Sequence, residues 1–119
     1  MNRECICKIR DIYRNIAAFE VLLQRQLQLN INEAMLLCVV SERENISSGE
    51  IAEEMNLTPS NASKVIASLE KKSLIKRKTC KDDKRCMRFS ITKAGKELLS
   101  HFTCDSLQLP ETLQSLTAK

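Results

Sequence analysis

The sequence predicts a mainly α-helical fold with one small antiparallel β-hairpin wing. In chain order this is a helix-turn-helix, then the hairpin, with further helices on both sides. Three observations carry this. Only two Gly and two Pro occur in 119 residues, a composition that suits long helices better than a many-stranded sheet. Apolar residues recur at steps of three or four through most of the chain, which is the helical period. After Leu74 the period changes to alternation, and two alternating runs flank a polar segment.

Residues 3–28 place Ile9, Ile12, Ile16, Phe19, Leu23 and Leu27 on one stripe of a long helix. At 1.5 Å per residue it spans ~35–40 Å, too long to bury its whole stripe inside one small monomer. The surplus apolar surface points to a second chain. Asn30 and Glu33 look like a helix start, with Asn30 as N-cap and Glu33 in the reciprocal capping position. The following helix, to about Arg43, is strongly apolar (Ala34 to Val40) and is expected to be buried on most sides.

Ser47 and Glu50 form the next capping box and open a short helix that ends near Asn56. Its inner face is Ile51, Ala52 and Met55. Asn56-Leu57 makes a turn, and Thr58-Pro59 starts a fourth helix, with Thr58 as N-cap and Pro59 at the first helical position. Two helices joined by such a turn read equally as a helix-turn-helix or as an ordinary helical hairpin. The fourth helix buries Ala62, Val65, Ile66 and Leu69. Its other side shows Ser60, Ser63, Lys64, Ala67, Ser68 and Lys71, with Asn61 at the N-terminal end. Small, polar and basic residues suit close approach to a major groove.

Residues 74–79 form one strand, Met87, Phe89 and Ile91 mark a second, and 80–86 make a charged tip. This is a wing that carries Lys and Arg towards a nucleic-acid backbone or minor groove. Thr92 caps a further helix with Ala94, Leu98, Leu99 and Phe102 as its apolar positions. It breaks near Pro110, before a short last segment with Leu113 and Leu116.

Charge is uneven. Residues 1–59 carry 6 Lys/Arg against 9 Asp/Glu, residues 60–88 carry 10 against 3, and residues 89–119 carry 3 of each. The excess positive charge therefore sits on the fourth helix and the hairpin, either as a solvated face or as a phosphate-binding surface. Aromatic content of 3% with no Trp counts against single-strand binding by base stacking. No apolar run approaches the ~20 residues of a membrane span, and the N-terminus has no secretory core. A cytoplasmic protein is expected, with thiols rather than disulfides.

Helix-turn-helix, wing and flanking helices together resemble the MarR family of bacterial winged-helix regulators. The wing is the most specific part: Asp83-Lys84-Arg85, five residues, Ile91-Thr92, two residues, Gly95, where the family has Leu in place of Ile91. The junction Leu69 to Arg77 also looks like the family's, with Ser73 where a Gly is frequent. If that position needs a positive φ, Ser73 carries strain. The resemblance covers roughly residues 5–105. It implies a homodimer built by the first and last helices, and double-stranded DNA as partner. It further implies that the wing arginine, Arg85, enters the minor groove and that Asp83 holds it in place. A carboxylate two residues away can orient a guanidinium. The tail after the wing is short for the family.

The expected organisation is one winged-helix domain over 1–119. Residues 29–92 form the DNA-binding core, and 1–28 with 93–119 the dimerisation helices. DNA-contacting candidates are Ser60, Asn61, Ser63, Lys64 and Ser68 on the fourth helix. Lys76, Lys78, Lys81, Asp83, Lys84, Arg85 and Arg88 are the candidates on the wing, with Arg77 beside them for phosphate. A small-molecule effector is a possible further partner. No cofactor and no membrane contact are expected. With one His, no Gly-rich phosphate loop and no nucleophile or paired-carboxylate pattern, an enzyme is not expected.

Cys5, Cys7, His101 and Cys104 would offer four zinc ligands if the helix ends converge, and Cys5 or Cys7 would suit redox sensing. The resemblance leaves both open, since the family includes metal- and thiol-responsive members. Cys80 and Cys86 flank the wing and could pair. Cys38 is expected in the core. A winged helix that binds protein instead of DNA remains an alternative.

Overall fold

The computed structural model describes the backbone of residues 3–80 and 83–101 and the side chains of residues 4–79 and 87–101. The element order is α1 (Arg3–Leu27), α2 (Ile31–Glu42), β1 (Ile46–Ser47), α3 (Ser48–Glu54), α4 (Pro59–Lys71), β2 (Ile75–Cys80), β3 (Asp83–Ile91) and α5 (Lys93–Ser100). The chain divides into two compact units. One comprises Met1–Asn30 with Phe102–Lys119, and the other is Ile31–His101. Thus α5, expected among the flanking helices, groups with the core unit.

In the first unit α1 runs 25 residues. Leu23 is fully buried, but Ile6, Ile9, Tyr13 and Val21 are exposed. These four lie on one side of the helix; Ile9 belongs to the expected inner stripe and is exposed, and the other three flank that stripe. Among the described residues no helix is long and apolar enough to cross a membrane.

The second unit is built on Leu36, Leu37 and Val40 of α2, Ile51 of α3, Ile66 and Leu69 of α4, and Ile75, Phe89 and Ile91 of the sheet, all buried. Burying a Leu or Ile stabilises by ~1.5–3 kcal/mol, so this cluster is the main source of the unit's stability. On α2, Ala34, Leu36, Leu37 and Val40 face inward while Met35 and Cys38 are exposed. The helix is thus buried or half-buried on most sides, as expected, but Cys38 is not in the core: with Met35 it lies on the strip that does not pack. Partial burial and then the Glu42 carboxylate push the Cys38 thiol up, which disfavours the reactive thiolate.

The sheet has three strands in the order β1-β3-β2, all antiparallel, with Ile46 opposite Phe89 and Arg77 opposite Phe89 on its other side. The sequence predicted two. The added strand, β1, is only two residues long. The hairpin is also tighter than expected, because β3 begins at Asp83 and a register shift puts Cys80 opposite Asp83. The Cys80–Cys86 pairing lies outside the described side chains. In α5 the expected inward Ala94 is exposed, while Leu98 and Leu99 are half-buried.

Two helices end in the same way. After α3, Asn56 N–H donates to Glu53 O and Leu57 N–H to Ala52 O, at 3.2 and 2.9 Å. After α4, Ser73 N–H donates to Glu70 O and Leu74 N–H to Leu69 O, at 2.9 and 3.1 Å. Both are Schellman caps, which need a left-handed residue. Asn56 supplies φ 54° and Ser73 φ 61°. Asn tolerates this conformation, whereas Ser bears a penalty of about 1 kcal/mol.

Beyond Ser73 the chain is tied to the start of α5. Thr92 Oγ1 lies 2.8 Å from Ser73 O and 3.0 Å from Leu74 O and accepts the Gly95 N–H at 3.0 Å. Thr92 N–H also donates to Leu74 O at 3.1 Å. A Cβ at position 95 would stand 2.3 Å from that carbonyl oxygen and 2.7 Å from Ile91 Cγ1. Only Gly permits the approach.

Gly95→Ala is expected to destabilise the core unit by about 3 kcal/mol, from forced separation of these backbones. Ser73→Gly should stabilise it by roughly 0.5–1 kcal/mol. Urea unfolding followed by far-UV circular dichroism measures both.

Candidate nucleic-acid interface

Helix α4 is placed by three devices. The Thr58 hydroxyl accepts the Asn61 N–H at 3.1 Å and Pro59 occupies the first turn. Ala62, Ile66 and Leu69 anchor its inner face. From the side, the buried Glu33 of α2 accepts the Ser68 hydroxyl at 2.5 Å and pairs with Lys72 Nζ at 2.8 Å. A buried carboxylate keeps its charge only with such donors, so Glu33 fixes the rotation of α4 about its axis.

This leaves Ser60, Asn61, Ser63, Lys64 and Ala67 exposed along the free side of α4. Lys76 and Lys78 are exposed on β2; two apart on a strand, they share one face. Asp83 and Arg85 lie on β3, not in a loop. Their side chains, and residues 81 and 84, lie outside the described side chains. Ser48, Ser63, Ile66, Arg77, Met87 and Phe89 line one cleft, so α4 and the hairpin stand against each other.

Two candidates are engaged inside the protein instead. Ser68 donates to Glu33, as above. Arg88 Nη1 donates to Glu50 Oε1 at 3.0 Å and to Asn45 O at 3.2 Å. Arg77 is held too: its Nε and Nη2 donate to the two oxygens of Glu70 at 2.7 and 2.6 Å, with the guanidinium 5.8 Å from the Phe89 ring centre. Sequence reasoning gave Glu33 and Glu50 only capping roles and Glu70 none. Its helix-to-strand position opposite Arg77 was the available signal.

Glu50 does close the box on Ser47, accepting its N–H at 3.1 Å while Ser47 Oγ accepts the Glu50 N–H at 3.1 Å. It also accepts Arg43 Nη2 at 2.5 Å. The Ser47 hydrogen bonds first, and Arg43 after them, hold the Glu50 carboxyl below the ordinary glutamate range. Cys5 is exposed and Cys7 half-buried on α1, His101 caps α5, and Cys104 lies outside the described residues. Among the described residues, no three His, Cys, Asp or Glu side chains are grouped so as to hold a metal.

Known proteins match this arrangement. The model of the MarR family matches residues 29–87. The HTH-type transcriptional regulator PapX of Escherichia coli is 28% identical over 71% of this chain and 62% of its own length. The uncharacterised HTH-type transcriptional regulator YpoP of Bacillus subtilis is 33% identical over 63% of this chain and 53% of its own. The chain thus spans under two thirds of both relatives. The crystal structure of the S. aureus MepR–DNA complex has a TM-score of 0.76 at 20% identity, covering 100% of this chain and 87% of that one. At that identity the likeness is one of fold.

A lowered carboxyl contributes stability above its unfolded value and loses it as pH falls through the folded value. Wild-type stability should therefore drop more steeply than that of Glu50→Gln on acidification below the ordinary glutamate range. Denaturant midpoints of the two proteins across that range measure the difference.

Proposed function

Because the chain belongs to the MarR family of winged-helix transcriptional regulators, we propose that it binds specific double-stranded DNA sites as a homodimer and so regulates transcription. The observation that carries this reading is the exposed face of α4, with Ser60, Asn61, Ser63 and Lys64 set beside the basic strand β2. Two such helices read successive major grooves. Short hydroxyl and amide side chains near a helix N-terminus reach base edges, and Lys64 reaches a base or a phosphate. Lys76 and Lys78 contact the backbone. At the wing, Arg85 enters the minor groove, Asp83 orients it, and Lys81 and Lys84 add attraction. Ser68 and Arg88 are left out of the contact set, since both have partners within the fold.

The exposed Ile6, Ile9, Tyr13 and Val21 of α1 supply the apolar surface for the second copy. An effector, in this reading, alters the separation of the two reading heads and shifts a population between states of different affinity. No chemistry is required.

Arg85→Ala should weaken binding to a selected duplex site by about 1–3 kcal/mol and leave the dimer intact by sedimentation. Unchanged affinity in a fluorescence titration would remove the wing from the mechanism. For Lys64→Ala, an equal loss on every sequence marks a phosphate contact, and a loss confined to the selected site marks base readout.

A further inference from the structure

Residues 60–88 are the basic part of the chain, and Glu70 is their one glutamate. A carboxylate in a surface that meets a polyanion weakens the attraction. Glu70 nevertheless forks Arg77 of β2 in a two-bond pair, and Arg77 lies over Phe89, its partner across the strands. On the central strand Glu50, in the first turn of α3, holds Arg88 of β3. The same arginine reaches the carbonyl of Asn45, just before β1. Each wing strand is therefore tied by one arginine to one helix of the helix-turn-helix.

We propose that Glu70 and Glu50 are positioning residues that hold the wing at a fixed angle to α4, and that Arg77 and Arg88 act as braces between them and the hairpin, not as phosphate contacts. The consequence for affinity rests on the DNA-binding reading; the brace itself does not.

The lever explains why fixing the base of the hairpin matters. The Arg77–Phe89 pair lies six residues from Asp83 along β3, roughly 20 Å at 3.4 Å per residue. A tilt of about 10° at the base moves the tip by roughly 3.5 Å and Arg85, four residues from Phe89, by roughly 2.4 Å. That is most of a hydrogen-bond length, enough to break the contact of Arg85 with the groove that α4 selects. A bidentate arginine–carboxylate pair resists such a tilt because its planar fork fixes direction as well as distance. Lysine at position 77 would lack that fork.

The test turns on a sign. Removing a negative charge from a DNA-binding surface raises affinity if the charge has no other role. The brace requires the opposite. Glu70→Gln, Arg85→Ala and the double variant are titrated against duplex DNA beside the wild type, with hydrogen exchange of β2 and β3 amides followed in the free proteins. Glu70→Gln is expected to weaken binding on the order of tenfold, to add little to Arg85→Ala in the double variant, and to speed exchange in β2 and β3 while α2 is unaffected. Glu50→Gln should act in the same direction, since Gln keeps the capping box. Equal or tighter binding by Glu70→Gln, fully additive losses, or unchanged wing exchange would each overturn the brace. If the wild type fails to bind duplex at low salt, the DNA-binding reading falls, while the exchange rates still decide whether the brace exists.

Discussion

The carbonyl oxygen of Leu74 is where α4, the hairpin and α5 meet. It accepts the Thr92 N–H, lies within reach of the Thr92 hydroxyl, and faces the bare Cα of Gly95. A methyl group at position 95 would not fit. Because the end of β3 is pinned here and α4 ends only three residues earlier, at Lys71, the wing cannot leave the helix without breaking this contact. The Thr and Gly of the pattern Asp83-x-Arg85 … Ile91-Thr92-x-x-Gly95 are thus accounted for by backbone packing. Its Asp and Arg stand on β3, away from this contact, and recognition is the role proposed for them.

The same geometry explains the charge pattern. A purely attractive surface would carry only Lys and Arg, yet Glu33, Glu50 and Glu70 each engage a basic side chain. Glu33 sets the rotation of α4, and the other two tie the strands to the helices. The cations that these glutamates hold cannot also serve fully as counter-charges for phosphate. What these glutamates do not hold is a narrower set, exposed Lys64 and Lys71 on α4 and Lys76 and Lys78 on β2 among the described side chains of residues 60–88. Precision in the angle between helix and wing is gained at some loss of attraction.

Features set by neighbouring residues were legible in the sequence. The Ser47–Glu50 box, Thr58 with Pro59, and the Thr92 cap are local patterns, and all three form. The left-handed Ser73 was foreshadowed by the family's frequent Gly. What depends on distant partners was not legible. Ser68 meets Glu33 across 35 residues and Arg88 meets Glu50 across 38, and no local period marks either. A two-residue strand such as β1 is too short to show alternation. The apolar run of α2 hid which side would pack, because Met35 and Cys38 resemble their buried neighbours in everything except angle around the helix.

If α4 and the wing together form a duplex-binding surface held by phosphate contacts, binding must depend on salt. The most direct measurement is the affinity of the wild-type protein for a selected duplex as a function of salt concentration. A steep linear fall of log K with log salt is expected, with a loss of about 10³ or more between 50 and 200 mM for six or more phosphate contacts in the dimer. Absence of duplex binding at low salt, or an affinity indifferent to salt, would contradict it.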